Sequence, residues 1–508
     1  MKRFLSLLRR ITGAVERPAP KAGSLFKLFR EGSRLRRLWS TLQGRLPKRL
    51  IWRRLVIHLG LTLLVVAVMY AVREAPFRIL GEDHAMDLVI RMCAGAKPTE
   101  PVIPLGWIDI DDDAYREWDE PSYLPRKELA DLMRLALEAK PRMLIVDVDL
   151  ARRNHEREVD APVIKFLEEY ADKCRALESM QGKACPPVVL AASLRTREPG
   201  CVEQRISWLD KVVKDSPHLF YWAAPLFEQE KDGVVRRWRI WTVVKRDCDN
   251  SRVALPSFQL LAAVGTTCGR NRTRELEKLQ QCLEARAGGN KESESKCEVI
   301  LWPDDKERKK ILTLSEDRIE RRILYAIPDP DRGMIPVKTL NDDDTKKGDK
   351  ERPLLLRIPA GVASGQNAES IAATLGGRVV FIGGSFLEGH DIYNTPLNNT
   401  MPGVLIITNA LYSLLEHGEA QAALSWQQLL LIMAFITVMS ISITTLGLGW
   451  GLVVSFAVLY FLFLPVSVFS LMHGRWLDFA LPIAVVGSYG YVIKFLQWYS
   501  KRKRKQRL

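Results

Sequence analysis

LVIHLGLTLLVVAVMYAV, residues 55–72, contains no Asp, Glu, Lys or Arg, and a second apolar block, Leu429–Ile493, runs nearly unbroken toward the C-terminus. The hydrocarbon core of a bilayer is roughly 30 Å thick and takes about 20 apolar helical residues to cross. The first block therefore reads as one membrane span, and the second is long enough for three. TTLGLGWG at 444–451 and HGRW at 473–476 interrupt the second block, giving spans at 429–448, 452–472 and 477–493. The alternative, buried core helices of a large soluble protein, fits poorly with three apolar runs in series. Four spans leave both termini on one side and residues 73–424 on the other.

Charge decides which side is which. Residues 1–54 hold 16 Lys and Arg against Glu16 and Glu31, and KRKRKQRL at 501–508 adds six more basic residues, so residues 55–500 are net negative although the whole chain carries +15. Basic residues next to spans stay cytoplasmic. The tails 1–54 and 494–508 are thus expected in the cytoplasm and 73–424 outside it, as in a multi-pass protein of a bacterial inner membrane. The sequence pI near 9.4 belongs to two juxtamembrane tails that suit anionic lipid headgroups. It does not point to nucleic acid. Gly487, Ser488 and Gly490 give the last span a small-residue face suited to helix association, within the chain or between copies in a homo-oligomer.

All eight cysteines, Cys93, Cys174, Cys185, Cys201, Cys248, Cys268, Cys282 and Cys297, fall in the segment assigned to the outside. An even number confined to one side reads as disulfides in an oxidising periplasm. Sequence does not fix their pairing, although Cys174–Cys185 and Cys268–Cys282 are close neighbours along the chain. Zinc is disfavoured, because there is no Cys-x-x-Cys pair and few histidines lie in the segment.

The outer segment alternates strand and helix. VIPLGWIDID at 102–111 reads as a strand, PRKELADLMRLALEAK at 125–140 as a helix with Leu129, Leu132, Met133, Ala136 and Leu137 on one face, and RMLIVDVDL at 142–150 as a second strand. That order makes a parallel crossover unit. Strands near Val188–Ser193 and Arg378–Gly383 and a helix at Val404–Leu415 extend it. Strands this apolar imply a sheet covered on both faces. The expected class is an α/β extracytoplasmic domain with a mainly parallel sheet, plus four transmembrane helices. Residues 270–352 turn densely charged and read as a loop-rich insertion.

Gly106-Trp-Ile-Asp-Ile-Asp, Pro125-Arg126 opening a helix, and Leu144-Ile-Val-Asp-Val-Asp come first. Val380-Phe-Ile-Gly-Gly-Ser follows, with Asp391, Thr395-Pro396 and Pro402-Gly403-Val404 before a helix. In that order these residues resemble the second type of CHASE domain, the cyclase- and histidine-kinase-associated sensory extracellular domain. The resemblance covers about residues 75–424, with one span before it and three after. It implies an extracytoplasmic sensor. Members are often followed by a kinase or cyclase, and this chain runs on only briefly past its last expected span, so a separately encoded effector is expected. The alternatives are a structural or assembly subunit of an envelope membrane complex and, more remotely, a periplasmic enzyme.

Ligands of open parallel sheets favour the crevice at the carboxyl ends of the strands. There the sequence places Asp109, Asp111, Asp112 and Asp113 after the first strand and Asp147 and Asp149 at the second, with Ser385, Glu388, His390 and Asp391 after a later one. If they converge, such an oxygen-rich set suits a cationic ligand or a calcium-like cation. The competing reading is that strand-end aspartates cap turns and helices. No cofactor and no catalytic residue is assigned: Gly383-Gly384-Ser385 is not a nucleophile elbow, and the chain has no Walker loop, Gly-x-Gly-x-x-Gly or His-Glu-x-x-His.

Overall fold

The computed structural model describes residues 56 and 60 and the stretches 76–94, 103–121, 123–151, 157–182, 184–198, 201–245, 252–288, 297–314, 321–329, 337–339, 353–364, 374–397, 400–418, 421–422 and 425–476. The expected span 477–493, both basic tails, Cys248 and all of the expected span 55–72 except Val56 and Gly60 lie outside the described residues. The chain forms two compact units, the larger comprising 80–428 with 464–479, the smaller including 429–463.

In chain order the helices used below are α1 (Pro76–Cys93), α2 (Asp112–Glu117), α3 (Arg126–Glu138), α4 (Arg157–Gln181), α5 (Phe258–Thr267), α6 (Arg272–Ala287), α7 (Gly403–His417), α8 (Ser425–Val458) and α9 (Leu464–Met472). The strands are β1 (Leu105–Ile110), β2 (Met143–Asp147), β3 (Val188–Ala191), β4 (Phe220–Ala223), β5 (Val235–Trp238), β6 (Val337–Thr339), β7 (Leu355–Pro359) and β8 (Val379–Gly384). Seven of them form one sheet in the order β6-β7-β1-β8-β2-β3-β4. Every neighbouring pair in it is parallel.

Side chains alternate between the two faces of a strand, and here both faces are buried. Ile108, Ile110, Leu144, Val146, Val188, Leu190, Leu356, Ile358, Val380 and Ile382 share one core cluster with Leu129, Leu132 and Met133 of α3 and Val163, Phe166 and Leu167 of α4. Helix α3 starts where Pro125 pre-sets its entry and presents the apolar face read from its spacing. The alternate residues of each strand point to the opposite face, where Gly265 of α5 packs against Met143 and Gly383 of β8 against Val404 of α7. Burial on both faces is why these strands are almost wholly apolar. It also makes the few polar residues within them conspicuous.

Helix α1 is fixed largely by charge. Its buried Asp87 receives Arg236 through both oxygens (2.9–3.2 Å), and Asp83 pairs with Arg237 at 2.5 Å and with Arg322. Glu230 and Asp232 complete the network on Arg236 at 2.9 and 2.7 Å. These hydrogen bonds hold the Asp232 carboxyl below the usual range. Arg236 is 2 % exposed; a guanidinium this deep is tolerated because carboxylates surround it.

The charged stretch 270–352 is more structured than its composition implies. It contains α6, whose Leu276, Leu279 and Leu283 are buried, and a hairpin of 298–301 with 310–313. Among the described residues two disulfides form, Cys174–Cys185 and Cys282–Cys297, with Cα atoms 5.7 and 6.2 Å apart. The first is the neighbouring pair read from the sequence. The second corrects Cys268–Cys282: ten residues of α6 separate Cys282 from the helix start, about 15 Å at 1.5 Å per residue. Cys268 instead stays buried and free, its thiol 3.8 Å from the Ile300 carbonyl, and Cys93 is free as well.

Toward the C-terminus, α8 is broken at Gly447, whose φ of 82° interrupts the helical path. The break separates an apolar helix Leu431–Gly447 from Gly449–Met472, which contains 24 residues at a mean hydropathy of 2.5 and is, among the described residues, the one helix long and apolar enough to cross a membrane. Phe435, Met439, Ile443, Leu459 and Phe463 pack together. Trp450, Val453, Phe456, Tyr460 and Phe461 are exposed, an apolar surface of the kind that water-facing proteins avoid.

Non-reducing peptide mapping should recover Cys174–Cys185 and Cys282–Cys297 as linked peptides and Cys268 as a free thiol. A Cys268–Cys282 peptide would overturn the placement of α6.

Candidate functional site

Register brings the polar residues of the sheet into one row. Trp107 lies opposite Arg357, Asp109 opposite Gly383, and Gly383 opposite Asp147. All of them belong to the face that α7 covers. Asp109, Gly383 and Asp147 therefore form a row across β1, β8 and β2 near their carboxyl ends, with Arg357 on β7 one step before it at the level of Trp107, and the glycine in the middle of the row lets α7 approach. A Cβ at Gly383 would come within 2.3 Å of Val404 Cγ2.

Asp109 is fully buried. Its Oδ2 accepts from Arg357 Nε at 2.6 Å and from Ser385 Oγ at 2.9 Å, while Oδ1 has no hydrogen-bond partner. Burial outweighs the attraction of Arg357 and pushes this carboxyl up to about 7. Arg357 also lies over the ring of Trp107, 5.5 Å from its centroid, and Trp107 Nε1 donates to the Gly383 carbonyl at 3.2 Å.

Above this layer opens a cavity of about 500 Å³, lined by Trp107, Asp111, Asp112, Arg116, Arg357, Ser385 and Thr400, among others. Its volume falls in the range of small-molecule sites. The rim aspartates are occupied with local structure. Asp111 caps α2 by accepting from Ala114 N at 3.0 Å, Asp112 accepts from Leu387 N at 2.9 Å, and Asp113 pairs with Arg116 at 3.2 Å.

A second pair lies at the end of β2. Asp147 and Asp391 interact electrostatically, and the Asp391 carboxyl abuts Gly403, the first residue of α7. Burial first, and the like charge of Asp391 second, raise Asp147 well above the usual carboxylate range. Burial lifts Asp391 to about 6 against a hydrogen bond from Tyr393 and one from the Gly403 backbone.

The sequence candidates thus separate into groups rather than one cluster. Asp109, Ser385, Asp111 and Asp112 meet at or beneath the cavity, and Asp147 joins Asp391. Asp149 does not join them: it is exposed and accepts from Ala151 N at 3.0 Å, with Ser193 at 3.4 Å. His390 is exposed in a left-handed turn with φ 50°. Among the described residues no group of three or more His, Cys, Asp or Glu side chains could hold a metal ion, and no calcium site is assigned. Sequence reading missed Arg357, Trp107, Arg116 and Tyr393. An arginine inside the apolar run Leu354–Ile358 was the one available signal for the first.

The chain thus combines an α/β domain built on a seven-stranded parallel sheet, a polar cavity at the carboxyl edge of that sheet, and a helix long and apolar enough to cross a membrane. Residues 61–444 match the CHASE2 domain, and the chain belongs to that family. CHASE2 is a sensory extracellular domain and not a catalytic one. No curated protein and no solved structure matches the chain.

Replacing Arg357 by Met leaves Asp109 buried beside Ser385 alone. The raised pKa means that Asp109 favours the folded state at low pH, and that contribution is lost as pH rises from about 4 through about 7. Arg357→Met should therefore destabilise the full chain by about 3–5 kcal/mol at about pH 8 and by less at about pH 5. Adding Asp109→Asn should restore most of the loss. Chemical denaturation in detergent checks this, and equal stability of wild type and Arg357→Met at the higher pH would refute the pairing.

Proposed function

We propose that this chain is a membrane-anchored extracytoplasmic sensor that takes a small ligand in the cavity over Asp109 and Arg357 and passes its occupancy to a separate effector. The observation that carries the reading is the cavity itself, at the carboxyl edge of a parallel sheet in a domain of a sensory family. Its lining mixes carboxylates with two guanidinium groups, which suits a small polar ligand bearing a cationic group. The cap made by Asp111 and the bond from Leu387 N to Asp112 give the rim a fixed shape, so binding need not order it first.

A route out of the site supports signalling. Helix α7 begins beside Asp391 and Gly383 and ends at His417, and α8 starts a few residues later at Ser425. Lys310 Nζ donates to the Leu415 carbonyl at 2.7 Å and to that of Glu416, which ties down the end of α7. Gln421 and Ala422 pair in parallel with Arg475 and Trp476, joining the segment before the apolar helices to the segment after them. A displacement at the start of α7 therefore has a packed path to the residues that enter the membrane helices. In this reading the chain has four spans, at 55–72, 429–448, 452–472 and 477–493, with 73–424 in the periplasm of a bacterium and both tails in the cytoplasm. The charge asymmetry of the tails supports it.

Two measurements test the reading. Alkaline phosphatase fused after Lys140 should be active and after Gln506 inactive; the reverse pattern would overturn the topology. Thermal unfolding of the full chain in detergent should shift upward with at least one member of a panel of amines, amino acids and calcium chloride. Thr400→Trp, which fills the cavity from its rim, should abolish that shift. A shift that survives in Thr400→Trp, or a panel without effect, would contradict the cavity as the ligand site.

A further inference from the structure

At this edge lie three carboxyls, Asp109 fully buried and Asp147 and Asp391 half-buried, and one guanidinium, Arg357, which bonds to Asp109. Asp147 and Asp391 are left to each other. Among the described residues no Lys, Arg or His is paired with either.

The groups facing the pair can be read element by element. From β8 come Gly383 and Gly384, without charge, and α5, which packs near β2, has no charged residue along its length. From α7 come the Gly403 amide and Val404; its first charged residue is Glu416, in its last turn. From the segment after Asp391 comes Tyr393, whose hydroxyl bonds to Asp391 and whose ring meets Phe227 edge-on at 5.0 Å. Glu388 and His390 before it, and Asp149 beyond Asp147, are exposed. Two carboxylates desolvated together without a cation cannot both stay ionised cheaply, and one proton between them is the ordinary solution.

The pair also occupies a built notch. Gly403 has no side chain where a Cβ would lie 2.4 Å from Asp391 Oδ2, and Gly383 has none where it would meet Val404 and Asp147. The Gly403 amide donates to the Asp391 carbonyl at 2.9 Å. The first turn of α7 therefore sits on the Asp391 carboxyl and, through Val404, on Gly383 beside Asp147.

We propose that the Asp147–Asp391 pair is a proton-operated clamp: a shared proton holds the start of α7 against the end of β2, and its release to water lets the two carboxylates repel and frees that turn. The clamp goes beyond the cavity reading and makes the proton itself a stimulus of this sensory domain. It borrows from that reading only the path along α7. Because both carboxyls are raised above their unfolded values, their contribution to stability is present at low pH. It is lost as pH climbs from about 4 through about 6 and above.

The test is hydrogen exchange of the full chain in lipid nanodiscs, read on peptides covering 400–417 and corrected for the intrinsic pH dependence of exchange. Between about pH 5 and about pH 8 the wild-type first turn should lose at least about tenfold in protection, the equivalent of one unit of carboxyl shift. The double variant Asp147→Asn with Asp391→Asn should stay protected throughout. The same pH response in the double variant, or a wild-type turn equally protected at both pH values, would overturn the clamp. Should the double variant fail to fold, Asp391→Asn alone takes its place, and a pH response of wild-type size in that variant would overturn the clamp. The ligand panel reads the cavity, so either proposal can fail while the other stands.

Discussion

A carboxyl group inside a sheet covered on both faces has three ways to persist: a cation beside it, hydrogen bonds to it, or a proton on it. The domain uses all three within one row of residues. Arg357 and Ser385 hold one oxygen of Asp109, the other oxygen has no partner, and Asp391 is near enough to Asp147 to raise its proton affinity, with no cation paired to either among the described residues. Everything else at this edge is arranged around that constraint. Gly383 and Gly403 supply the room, α7 supplies the lid, and Trp107 supplies an aromatic surface for the guanidinium.

The network on α1 solves the same problem by the opposite means. There the buried charges are matched nearly one for one, Asp83 and Asp87 against Arg236, Arg237 and Arg322, with Glu230 and Asp232 outside them. Pairing of this quality fixes the position of α1, because each buried charge on it has an opposite charge in hydrogen-bond contact. The helix at the start of the domain is thus tied by matched ion pairs, while the helix that leads out of it rests on carboxyls with no cation beside them among the described residues. This contrast gives the two ends of the domain different roles: α1 a fixed anchor, α7 a movable one.

Much of the frame could be read from the residues. LIVDVD and GWIDID are apolar runs with aspartates at alternate positions, so period two puts Asp109 with Asp111 and Asp147 with Asp149 on one face of each strand, while the register that sets Asp109 and Asp147 on a common face came from the structure. The helix at 126–138 announced itself by its apolar spacing and by Pro125. What escaped reading depended on contacts far apart in sequence. Strand β7 lies just beyond a densely charged stretch and carries Arg357, and α6 hides three buried leucines among charged neighbours. Capping of turns and helices was a stated alternative to ligand binding, and Asp111 and Asp149 show it through the nearby backbone amides they accept from, whereas Asp112 ties two distant segments by accepting from Leu387. Asp147 and Asp391 were both among the strand-end residues expected to converge, but which of that set would be neighbours was not legible, because some 240 residues separate these two.

The most direct measurement is a carbon-13 NMR titration of the full chain labelled at its aspartate carboxyls, with Asp109, Asp147 and Asp391 assigned by single Asn substitutions. The account predicts that these three carboxyls titrate well above the usual range for aspartate near 4, with Asp147 and Asp391 changing together. Ordinary, independent titration of all three would mean that the row is hydrated and uncoupled, and that the start of α7 does not rest on a buried proton.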